Sequence, residues 1–136
     1  RPYAETTPRR RRMTTVGWQR VEGALVLAGA ALWLWGHAPG WPLWLWPILA
    51  LAPDLAMIFY LFGPRLGASL YNSTHLYAGG ALLGGIGHAF GLSAALTDLG
   101  LVWLAHVGFD RALGYGLKDI SGFSDTHLGR IGRPPT

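Results

Sequence analysis

Apolar positions along the chain fall into four long runs, separated by short joints rich in Gly and Pro. A helix that crosses a bilayer needs roughly 20 predominantly apolar residues. By that measure the runs predict helices over about Gly17–Trp35, Trp41–Phe62, Leu66–Phe90 and Ser93–Gly114. The joints Gly36-His37-Ala38-Pro39-Gly40, Gly63-Pro64-Arg65 and Gly91-Leu92 are short enough to force consecutive helices antiparallel. The expected fold class is all-α, an integral-membrane four-helix bundle in up-down-up-down order. It divides into a basic extension over residues 1–16, the spans over 17–114, and a tail over 115–136 with no run long enough to cross. The first run does not read as a signal peptide, because further apolar runs follow it and no small-residue cleavage site ends it.

Composition supports the membrane assignment. Of 136 residues, 51% are hydrophobic and 13% charged, against about 25% charged in an ordinary soluble domain. The absence of Cys excludes disulfide frameworks, thiolate metal sites and thiol nucleophiles, so any metal must be held by His and carboxylates. The net charge of +4 does not predict nucleic-acid binding, because Arg1, Arg9, Arg10, Arg11 and Arg12 form one terminal cluster with no aromatic-interleaved basic stripe after it. With alternating topology, these residues and Arg20, Arg65, Arg111, Lys118, Arg130 and Arg133 all fall on one side, and the two opposite joints carry no Lys or Arg. Both termini are therefore expected to be cytoplasmic, in a multi-pass protein of the bacterial inner membrane. Met13-Thr14-Thr15-Val16 reads as a conventional start, so the twelve preceding residues are expected to come from an upstream start codon or from processing.

Trp33, Trp35, Trp41, Trp44 and Trp46 gather at the predicted outer interface, where indoles form anchoring belts; the alternative is a stacking surface for a pigment, a quinone or a partner helix. Gly80, Gly84, Gly87 and Gly91 recur at helical spacing and predict a close-packing face, which makes the third span the expected central helix. Pro47 and Pro53 are expected to bend the second span near Asp54.

Ionisable groups inside spans are costly and are candidates for function by default. Counted from the cytoplasmic ends, Asp54, His75 and His106 share a depth of roughly 12 to 14 Å on three different helices. Asn72 lies one turn shallower than His75, and Asp110 one turn shallower than His106 on the same face, with Arg111 beside it to reach the headgroups or pair with Asp110. Three chemistries suit this intramembrane cluster of Asp54, Asn72, His75, His106 and Asp110. They are a hydrogen-bonded network that fixes helix register, a zinc or non-haem iron site at His75 and His106, and a proton relay or substrate-polarising site. His88 has Gly84 one turn before it, which suits axial ligation of a chlorophyll or haem. His37 is expected in a solvated loop. Asp125 and His127 in the tail are expected either to complete the site beside His106 and Asp110 or to cap the surface.

These motifs resemble a small bacterial integral-membrane family known only as domain of unknown function four-two-six-zero. The resemblance runs from about Gln19 to Gly132 and rests on Val21-Glu22-Gly23, Pro53-Asp54, Gly63-Pro64-Arg65-x-Gly67 and Tyr71-Asn72-x-x-His75-x-Tyr77. Its most specific parts lie within Trp103-x-x-His106-x-Gly108-Phe109-Asp110-Arg111-x-x-Gly114-Tyr115-Gly116-Leu117-Lys118 and Phe123-x-Asp125-Thr126-His127-Leu128-Gly129. It implies a four-helix membrane protein and no particular activity. The expected role is an accessory, non-catalytic subunit of a larger membrane assembly, such as a photosynthetic reaction-centre, light-harvesting or respiratory complex, with lipid and other membrane subunits as partners. The alternative is a membrane-embedded metal- or proton-dependent enzyme or carrier using Asp54, His75, His106 and Asp110.

Overall fold

The structure, a computed structural model, describes residues 13–37 and 39–132. The terminal Arg cluster expected to act as a basic anchor lies outside the described residues. The chain is predominantly helical: α1 (Thr15–His37), α2 (Leu45–Leu51), a 3-10 segment (Ala52–Phe62), α3 (Pro64–Thr74), α4 (Tyr77–Ala89) and α5 (Ala94–Leu113). A short hairpin of β1 (Asp125–Thr126) and β2 (Gly129–Arg130) follows in the tail.

Helix boundaries follow from local chemistry. The Thr14 hydroxyl accepts the Gly17 N–H and opens α1. Gly63, at φ +117°, leads into Pro64 at the first position of α3, where a missing N–H costs nothing. Ser93 caps α5 by accepting the Ala95 N–H. At the other end Gly114, at φ +96°, closes α5 with Tyr115 N–H donating to Asp110 O and Gly114 N–H to Arg111 O, the paired bonds of a Schellman motif.

Two predicted spans are built differently from a continuous α-helix. In the second, Pro47 and Pro53 each fall in the first turn of a helical piece, and α2 tightens into the 3-10 segment at Ala52 where a bend was expected. In the third, the helix breaks between α3 and α4: His75 leaves helical geometry at ψ 19° and Leu76 is extended. The break is held from outside. Trp103 Nε1–H donates to Thr74 O and Arg111 donates to His75 O, so α5 takes up carbonyls that a continuing helix would have used. The Thr74 hydroxyl, bonded to Tyr71 O and Pro53 O, competes locally with the helix and ties α3 to the 3-10 segment.

The central helix is α5, not the Gly-rich third span, and it packs on both α1 and α4. Glycines make both crossings. A Cβ on Gly100 would overlap the Gly84 backbone of α4, and a Cβ on Gly108 would come within 2.7 Å of Gly23 O on α1. Gly80, Gly84 and Gly87 are buried against α5, so that stripe is used within the chain. Gly91 does not belong to it: the residue is exposed, sits at φ +58° in the turn before α5, and has nothing in contact range of a Cβ. α3 packs on the 3-10 segment.

Buried polar groups share the core with Ala30, Leu34, Ala56, Ala68, Tyr71, Val102 and Val107, and large apolar side chains face outward. His75 is fully buried, and Asp98, His106, Arg111 and Lys118 are buried too, whereas Trp35 is 87% exposed and Leu32, Leu43, Leu55 and Leu61 lie on the surface. Among the described residues, one continuous helical stretch, Leu45–Phe62, is long and apolar enough to cross a membrane, with mean hydropathy 1.8.

Candidate metal centre

Four side chains from three segments converge on one point. The 3-10 segment brings Asp54, the residue that ends α3 is His75, and α5 contributes His106 and Asp110 one turn apart. One donor atom from each lies within 4.8 Å of every other. His75 Nε2 is 3.1 Å from His106 Nε2, 3.2 Å from Asp54 Oδ1 and 3.5 Å from Asp110 Oδ2. His106 Nε2 is 3.5 Å from Asp54 Oδ1 and 3.7 Å from Asp110 Oδ2. The imidazoles form the floor, and the carboxylates stand toward the rim, with side chains 29% (Asp54) and 14% (Asp110) exposed.

Hydrogen bonding fixes what His75 offers. Its Nδ1 lies 2.8 Å from Tyr71 O, a pure acceptor, so Nδ1 carries the proton and Nε2 presents a lone pair to the cluster. The break after Thr74 frees this ring to turn inward. Tyr71 stacks flat on it, ring centroids 3.6 Å apart, and the Tyr71 hydroxyl donates to Asp110 Oδ2 at 3.4 Å. One aromatic side chain therefore braces an imidazole and a carboxylate together.

The charge balance of the site is uneven. Two carboxylates face two imidazoles, and the neighbouring cations are engaged elsewhere. Arg111 donates to Tyr115 O and His75 O, so it neither pairs with Asp110 nor reaches outward as expected. Lys118 Nζ donates to Phe123 O and sits over the Phe123 ring at 3.6 Å. Burial pushes the Lys118 pKa down, against the opposing pull of Asp110 and Asp54. Among the described residues, neither Asp54 nor Asp110 has a Lys or Arg ion-pair partner.

Other predicted residues serve different purposes. Asn72 does not join the cluster; its side chain pairs with the Lys118 backbone in both directions, at 2.9 and 2.7 Å, and clips the tail over the end of α3. Neither tail residue completes the site: His127 Nδ1 accepts the Leu117 N–H, and Asp125 bonds Ser121 and lies near Arg130. His37 is the last residue of α1 and not a free loop residue, with Nδ1 2.9 Å from Asp98 Oδ1. Asp98 carries no motif, and its partner stands 61 positions away; its place inside the predicted span Ser93–Gly114 was the signal that could have marked it. The His88 ring meets Trp33 edge-on at 6.0 Å. Gly84 leaves no slot for a macrocycle, since a Cβ there would already meet Thr97 O at 3.3 Å.

No curated protein and no solved structure matches the chain. The sequence model described as Domain of unknown function (DUF4260) matches residues 16–131, which take in all four residues of the cluster, Tyr71 behind it and Lys118 in the tail; the chain belongs to this family.

Proposed function

We propose that the chain is a multi-pass membrane protein, with both termini on the cytoplasmic side, that holds a divalent transition-metal ion of the zinc class between Asp54, His75, His106 and Asp110. The many exposed large apolar side chains support the membrane setting, as do the one-sided placement of Lys and Arg and the exposed apolar stretch Leu45–Phe62.

The observation that carries the metal reading is the set of donor separations. Ligands about 2.0–2.1 Å from a tetrahedral ion stand about 3.3–3.4 Å from one another. Five of the six separations, 3.1 to 3.7 Å, bracket that value, and the sixth, between the two carboxylates, lies within 4.8 Å. Two carboxylates without a Lys or Arg partner supply the charge that a divalent ion neutralises, and imidazole nitrogens favour zinc-class metals over magnesium or calcium. Four protein ligands complete a tetrahedron, which suits holding an ion rather than hydrolysis, for which a coordination position stays open to water.

Cobalt substitution tests this directly. Protein purified in detergent is expected to bind Co2+ with the intense visible bands of tetrahedral coordination, and His75→Ala and His106→Ala to remove the bands of this four-ligand site. Variants that lose thermal stability while the wild type binds no metal would identify a purely structural network instead.

An assembly role is the second reading. Ala24, Ala28 and Gly29 leave a small-residue face of α1 exposed, of the kind that lets another helix approach closely. A gently solubilised protein that runs as a monomer without companion polypeptides would remove it.

A further inference from the structure

At the far end of α5 from the metal cluster, a second group of polar side chains meets. The Asp98 side chain is 3% exposed, and its Oδ1 lies 2.9 Å from His37 Nδ1, at the end of α1. A carboxylate enclosed to this degree is costly to bury without a partner. Because the carboxylate only accepts, Nδ1 of His37 donates, and Nε2 is left with its lone pair on a ring that is 45% exposed. An imidazole with one nitrogen tied to a carboxylate and the other free is the arrangement that orients metal-ligating histidines.

His37 shares its surroundings with a second imidazole. A cavity of about 220 Å³ is lined by His37 from α1, by His88 and Trp33, and by Ser93 and Thr97 near the start of α5. It is smaller than the roughly 300–1,000 Å³ typical of organic-ligand pockets. An ion with a few waters suits this space. Paired imidazoles select transition metals over magnesium or calcium.

The geometry points to a second transition-metal site, in which His37 Nε2 and His88 take a zinc-class ion, water completes its shell, and Asp98 orients His37. Asp98 and His106 are eight residues apart on α5, about 12 Å along the helix axis, so the two sites are separate. In the topology proposed above, this one faces the outside. It does not depend on the first site.

Zinc bound per chain, measured by equilibrium dialysis and elemental analysis on the full chain in detergent, tests the inference. Wild type is expected to bind two ions. His37→Ala and His88→Ala are each expected to bind one, and the His75→Ala/His106→Ala double variant to keep one. Asp98→Asn is expected to keep the count and weaken the second ion about 10–100-fold. Circular dichroism establishes that each variant is folded. A wild-type count that neither His37→Ala nor His88→Ala lowers overturns the second site and leaves the first standing. A single ion lost in His37→Ala but kept in the double variant does the reverse.

Discussion

Tyr71 touches two of the four cluster residues at once, stacking on His75 and donating to Asp110 Oδ2. Tyr71→Phe keeps the stack and removes the hydroxyl, so zinc affinity is expected to fall about 10-fold, at the lower end of what outer-shell partners contribute. Competition against a chelator measures it, and an unchanged affinity would mean that Asp110 is held by other contacts. In the tail, burial first and the Arg111 charge second push the His127 pKa below the ordinary imidazole value. The folded tail therefore takes up a proton less readily than the unfolded chain, and its stability is present above about pH 6.5 and lost as pH falls through the lowered value. Protonation also removes the acceptor for the Leu117 N–H. Hydrogen-exchange protection of the Leu117 amide is expected to drop as pH falls below about 6.5; constant protection would contradict this. At this scale, Asp54, His75, His106 and Asp110 were legible from a residue count along each apolar run. Asp98, an ionisable group inside the same predicted span as His106, met the same criterion but lay near the outer end, away from the depth shared by the others, and its partner His37 was expected in a solvated loop.

Each crossing of α5 depends on backbone coming close to backbone. A Cβ at Gly100 has no room, since Gly84 N, Gly84 Cα and Gly80 O all crowd its position, whereas a Cβ at Gly85 meets nothing within 4 Å. Gly100→Ala is expected to destabilise the protein by about 1–3 kcal/mol through overpacking. Gly85→Ala is expected to be neutral or stabilising by up to about 1 kcal/mol from helix propensity. Thermal unfolding in detergent separates them, and equal melting temperatures would contradict the α4–α5 crossing. The stripe itself was readable from its spacing, but which helix sat at the centre was not. The break after Thr74 was also hidden. Neither His75 nor Leu76 breaks helices by propensity, and the cause lies in Trp103 and Arg111, about 30 residues further along. Tertiary hydrogen bonds overrode an apolar pattern that read as one helix, and the imidazole they turned inward became part of the cluster.

For the whole molecule, the charge distribution and the long apolar runs are legible in the sequence, because hydropathy is a property of composition along the chain. How the helices group around α5 was not, because it depends on contacts between runs. The 3-10 segment adds a mechanical consequence. A 3-10 helix rises about 2.0 Å per residue against 1.5 Å for an α-helix, so the eleven residues Ala52–Phe62 are about 5 Å longer than the same residues coiled as α. The two forms also advance by about 120° and 100° per residue, so relaxation to α over the eight steps between Asp54 and Phe62 would turn these two positions about 160° relative to one another. Asp54 stands at one end of that twist, beside Pro53, whose carbonyl accepts from Thr74, so a change of coil would set the site against the far end of the segment. In a thinner bilayer the mismatch favours the shorter form, and zinc affinity is expected to fall as acyl-chain length is reduced in reconstituted vesicles. Equal affinity across lipid thicknesses would contradict this coupling. The segment would then act as a gauge of membrane thickness, with one carboxylate as its pointer.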